Sequence, residues 1–186
     1  MIDLKEFNMF QNAYDFYILC HKLNNNIEIE YPNISCDSIN TIIINLSFAC
    51  EIFIKTLLFV DKQKIAKSHH LNNLFEKLNK NDKKIIKSIV SLDYLLTYSQ
   101  SNNKNLIQKR LKEVSHYFVD LRYWYEYDIK SNKRNIDYTG CCFLKKLCDA
   151  LILLLLNKLN IENDETHQPI ITNQDKYIKL MEQANA

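Results

Sequence analysis

Apolar residues recur every three or four positions along most of this chain, and polar ones fill the gaps as the two faces of an α-helix require. Phe7, Phe10, Tyr14, Tyr17 and Ile18 share one side of a helix predicted from Asp3 to Leu23. The stretch "NNNIEIEYPNISCDS" breaks the pattern and reads as a loop, with Asp37 or Ser38 capping a second helix from about Ser38 to Val60. After "DKQKIAKS" a short third helix begins near His69 and carries Leu71, Leu74, Phe75 and Leu78. Asn81 or Asp82 caps a fourth, which gathers Ile85, Ile86, Ile89, Leu92 and Leu95 on one side. A fifth is predicted from about Asn105 to Tyr127, with an apolar stripe at Leu111, Val114, Phe118, Leu121 and Tyr125. Beyond the polar loop "DIKSNKRNIDYTG" a last long helix runs from about Cys141 to Leu159.

These elements predict an all-α fold, a bundle of five to six helices with the second, fifth and last at its core. Short loops favour antiparallel neighbours in such a bundle. Composition points the same way. One Gly and two Pro among 186 residues leave few of the residues that tight hairpin turns demand. A length of 186 residues suits one core. Residues 1–162 are expected to form the domain, and 163–186 a polar tail without a sustained apolar face.

Charge and targeting signals exclude several classes. The net charge of +2 gives no global field to recruit nucleic acid or membrane, so any such binding must come from a local patch. Candidate patches are "KNDKKIIK" (Lys80–Lys87) and "KSNKR" (Lys130–Arg134), each either a contact for RNA phosphates or a solvated face. "MIDLKEFNMF" has no apolar h-region. Ile42–Val60 is long enough to span a bilayer, but Asn45, Glu51 and Lys55 interrupt it at high cost. "ALILLLL" is too short. A cytoplasmic protein with no membrane partner is expected. The six cysteines show no C-x-x-C spacing; Cys50 and Cys148 sit in apolar runs as small hydrophobes, and the adjacent Cys141 and Cys142 are either reduced thiols or a redox pair.

The chemistry centres on "NLSFACEIFIKTLL". Ser47, Glu51 and Lys55 form one narrow strip on a helix that is apolar nearly all round, so the strip faces a crevice or another charge. It is either a structural ion pair or part of a site. His69 and His70 open the third helix, and one of them can serve as an acid–base group or simply bond to a loop. Arg122 borders the stripe of the fifth helix with Glu126 one turn later. That guanidinium can hold a phosphate, or it can tie Glu126 and Glu51 together across two helices. No acidic or Cys residues stand at ligand spacing near the histidines, so no metal site and no cofactor are expected. The absence of a Gly-rich loop excludes the usual nucleotide cradles.

"ACEIFIKTLL" (Ala49–Leu58), "HHLNNLFEKL" (His69–Leu78) and "FVDLRYWYE" (Phe118–Glu126), in that order, resemble the HEPN superfamily of small helical domains. Its members repeat an E-x3-K-x-L-L helix, an H-x-L-x-x-L-x-x-L helix and an R-Y-x-Y-E helix. The resemblance implies a HEPN-like bundle, frequent homodimers, and a role in bacterial toxin–antitoxin or anti-phage defence systems. It also implies either metal-independent RNA endonuclease activity or a non-catalytic module that binds a partner protein, such as an antitoxin, or a nucleotide. The family's catalytic Arg-to-His spacing has one formal match, "RLKEVSH", Arg110 to His116. On a continuous helix those two diverge by about 120°. The sites to examine are therefore Glu51, Lys55, His70, Arg110, His116, Arg122 and Glu126. His116 or His70 would act as base, and Arg110, Arg122 or Lys55 would stand at the phosphate.

Overall fold

The computed structural model describes residues 3–28, 36–97, 106–115, 117 and 138–161. Six helices and no strand occur among the described residues: α1 (Leu4–Glu28), α2 (Cys36–Lys62), α3 (Leu71–Glu76), α4 (Lys80–Thr97), α5 (Leu106–Val114) and α6 (Tyr138–Lys158). The chain is an all-α bundle. Residues 163–186 lie outside the described residues.

Helix ends follow from local chemistry. Asp3 starts α1 by accepting the Lys5 amide on its carboxylate at 2.9 Å. Asn79, and neither Asn81 nor Asp82, caps α4: its Oδ1 accepts the Asp82 amide at 2.7 Å. Asp82 is left free to do something else, described below. Two helices stop on a residue in the left-handed conformation, Gln63 after α2 (φ 53°) and Asn160 after α6 (φ 49°). At the second stop, the Ile161 amide reaches back to the Leu156 carbonyl at 3.1 Å, closing a Schellman turn around an Asn where Gly is usual.

The packing runs in a definite order. Gln63 bonds Glu6, Phe10 meets Phe53, Phe16 meets Phe48, and the Cys20 thiol donates to the Ile42 carbonyl. Rising numbers on α1 against falling numbers on α2 make the two antiparallel. α6 runs the same way as α2, since Cys50 meets Cys148 at one level and Asp61 meets Lys158 at a higher one. Both central helices are buried nearly all round: Ile43, Phe53, Ile54 and Leu57 on α2, and Phe143, Leu144, Leu147 and Leu151 on α6, are among their fully enclosed side chains. α2 is also long and apolar enough, from Asn40 to Lys62, to cross a membrane by length and composition, and here those apolar faces are covered by α1 and α6.

Of the fifth helix expected at the core, Ile107, Leu111 and Val114 do join the core, while its residues 116 and 118–127 lie outside the described residues. α1 lies along α2 and α4 along α6, while α5 is only nine residues long and buries Ile107, Leu111 and Val114. α5 itself ends at Val114, where Ser115 forms a turn with its amide on the Lys112 carbonyl. Ser115 turns because it has another task. Its hydroxyl donates to Asn72 Oδ1, and its Oγ accepts the Asn72 amide at 3.2 Å. That amide is an unsatisfied donor of the first turn of α3, whose own cap position, His70, offers no side-chain bond. α3 is thus capped from α5.

A three-way network holds the far end of the bundle. Lys158 Nζ lies 2.7 Å from both Asp61 and Asp82, joining the ends of α2 and α6 to the first turn of α4. Asn79 adds a bond to Asp61 at 2.7 Å. Gly140, the single glycine of the chain, sits in the first turn of α6 because Tyr117 lies against it: a Cβ there would be 2.9 Å from the ring.

Candidate functional site

The strip predicted on α2 runs from the interior to the surface. Ser47 is fully enclosed, Glu51 is buried, and Lys55 is half-buried one turn further on. Glu51 Oε1 takes two partners: Lys55 Nζ at 2.7 Å and His69 Nδ1 at 3.0 Å. The pairing with Lys55 is an i,i+4 contact along one helix. The contact with His69 crosses from α2 to the segment before α3, and the imidazole is 60% exposed. Two buried polar atoms of the same strip, Glu51 Oε2 and Ser47 Oγ, have no hydrogen-bond partner among the described residues.

This geometry fixes one proton. An ionised carboxylate only accepts, so the 3.0 Å contact requires His69 to carry its hydrogen on Nδ1. Nε2 is then the atom left for proton exchange. A buried carboxylate orienting an exposed imidazole, with an ammonium on the same oxygen, is an acid–base pair next to a fixed positive charge. The helix supplies its rigidity: Glu51 and Lys55 lie mid-way along 27 residues of α2.

The other sequence candidates are placed differently. His70, the favoured histidine of the pair, stands at the cap position of α3 with its amide on Ser68 Oγ at 3.2 Å. It is His69, one residue earlier, that reaches Glu51. Arg110 lies on α5 and donates to Glu113 at 2.8 Å. His116, Arg122 and Glu126 lie outside the described residues. Among the described residues no group of three or more His, Cys, Asp or Glu side chains is arranged to hold a metal ion.

A second polar feature lies within the core. Cys50 and Cys148 bring their sulfur atoms to 3.2 Å across α2 and α6. Burial pushes the Cys20 and Cys141 thiols up to about 12, and burial followed by the neighbouring Cys50 raises Cys148 well above the ordinary range. Thiols held protonated in this way are poor nucleophiles. Close by, the Tyr17 hydroxyl donates to Asp149 at 2.6 Å, and burial, then Asp149, raises the phenol. These groups are packing.

No family model, curated protein or solved structure matches the chain.

Proposed function

We propose that this chain is a HEPN-like domain of a bacterial toxin–antitoxin or anti-phage defence system, cutting RNA without a metal ion and working as a cytoplasmic homodimer. The observation that carries the reading is the Glu51–His69 contact at 3.0 Å beside Lys55. In this reading His69 Nε2 removes the proton of a ribose 2′-hydroxyl. The freed oxygen forms a bond to the adjacent phosphorus, and the bond from phosphorus to the 5′-oxygen breaks with its electron pair. That oxygen takes a proton from solvent, leaving a 2′,3′-cyclic phosphate. Glu51 stabilises the imidazolium, and Lys55 faces the charge that develops on the phosphate.

The test is incubation of the purified chain with single-stranded RNA in the presence of a chelator, with analysis of the ends produced. Cyclic phosphate ends that vanish in His69→Ala and persist in His70→Ala support the reading. Absence of cleavage, or cleavage indifferent to His69, overturns it. The second reading, a non-catalytic module for a protein partner, is favoured by the burial of Glu51 and the half-burial of Lys55, which an internal structural pair shares. It expects no RNA product, and a Glu51 substitution that alters stability alone.

A further inference from the structure

α4 places Lys80, Lys83, Lys84 and Lys87 at positions i, i+3, i+4 and i+7, one face of a helix. Ser88 and Ser91 continue the same face. The opposite side is fixed by burial of Ile85, Ile86, Ile89 and Val90, so the lysine side has nowhere to point but outward. Together with Glu76 at the end of α3, these six residues of α4 line an open groove.

The charge of this groove is unusually one-signed. Four lysines and one glutamate give +3, against +2 for the whole chain, so everything outside the groove sums to −1. Asp82, the acid in the first turn of α4, does not dilute it, being buried on the other side and bound to Lys158 at 2.7 Å. Glu76 is occupied at the groove's end by Gln108 at 2.7 Å and Lys83 at 3.4 Å. Lys80, Lys84 and Lys87 have no carboxylate partner among the described residues.

We propose that the lysine face of α4 is a track for the phosphodiester backbone of a nucleic-acid strand. The lysines span about 10 Å along the helix axis, which suits consecutive phosphates better than one small anion. All four cations are lysines, point charges that hold phosphates without the forked geometry that reads base edges. The lining contains no aromatic ring to stack a base and no apolar side chain to enter a bilayer. The track therefore binds strands without regard to sequence, and its affinity falls steeply with salt. The proposal concerns binding only and stands or falls apart from the catalytic reading.

The experiment uses the full chain carrying His69→Ala, so that no strand is cut, and a fluorescein-labelled oligouridine, its deoxy counterpart and vesicles of anionic phospholipid. Lys80→Gln combined with Lys84→Gln is expected to weaken oligonucleotide binding roughly tenfold or more, and to reduce the slope of log K against log salt by about 1.4. Lys22→Gln combined with Lys64→Gln, on other surfaces, should change neither. Circular dichroism confirms that both variants keep their helices. Equal binding of the two oligonucleotides, or tighter binding of the ribose strand, supports a backbone track. Binding unaffected by the α4 pair, or a loss seen on vesicles and not on oligonucleotides, overturns it. RNA cleavage that fails while binding persists would remove the catalytic reading and leave the track in place.

Discussion

His69 Nδ1 lies 3.0 Å from Glu51 Oε1, although the two are 18 residues apart and the end of α2 intervenes. The carboxylate is buried and the ring is exposed, so the pair joins the interior of the bundle to its surface. Glu51→Gln keeps the shape and removes the charge that Lys55 and His69 share. It is expected to lower stability by about 1–3 kcal/mol, read as a fall of several degrees in thermal unfolding. Asp15→Ala, on the exposed side of α1, should move the midpoint by less than a degree or so. A Glu51→Gln protein as stable as its parent would show that the pairing does not support the fold.

Ser47 is expected to respond in the opposite sense. Its hydroxyl is enclosed and has no hydrogen-bond partner among the described residues. Ser47→Ala removes a polar group that folding leaves unsatisfied, and should raise stability by roughly 0.5–1.5 kcal/mol in chemical denaturation. If it also lowers RNA cleavage, the hydroxyl is held at a cost because the site uses it. A destabilised Ser47→Ala would mean that the hydroxyl bonds to something outside the described residues.

Lys158→Met tests the network at the far end. Burial raises the Asp82 carboxyl, and Lys158 opposes that effect. Without the ammonium, Asp82 keeps the burial penalty and the influence of neighbouring Asp61, both of which raise it, and its folded-state value rises further above its unfolded one. A carboxyl shifted upward contributes stability at low pH that is lost as pH rises through the folded value. The variant should be less stable than its parent by roughly 2–4 kcal/mol at neutral pH. That gap should narrow as pH falls and the Asp82 carboxyl takes up its proton. A gap independent of pH would count against the network.

Alkaline pH should unfold the bundle early. The Cys20 and Cys141 thiols are raised to about 12 from 9.0, chiefly by burial, and Tyr17 and Cys148 are raised as well. Groups shifted upward stabilise the fold fully below their unfolded values and cease to do so as pH climbs toward the folded ones. Between about pH 9 and 12 the unfolded chain binds fewer protons, so stability falls by about 1.4 kcal/mol per pH unit for each thiol still protonated in the fold. Cys20→Ala combined with Cys141→Ala should flatten that slope in denaturation curves taken across the window.

The helices were legible because burial is local in sequence: Phe10, Tyr14 and Tyr17 declare a face on α1 before any partner is known. Helix ends were less so. Nothing around Val114 announces that the helix stops, since the reason is Asn72, a residue 43 positions earlier that takes the Ser115 hydroxyl. Glu51 and Lys55 could be paired on a helical wheel because they share one rigid element. Choosing His69 over His70 could not be done that way, for both lie at the junction of a loop and a short helix. The lysine face of α4 was visible as a run of charge, but its separation from Asp82 depended on knowing that Asp82 turns to Lys158.

The bond between Ser115 and Asn72 ties His69 to a part of the chain it never touches. A helix of six residues is far too short to hold itself together, and α3 borrows its first acceptor from the turn that ends α5. Loss of that bond would leave the Asn72 amide unsatisfied in the first turn of α3, three residues after His69.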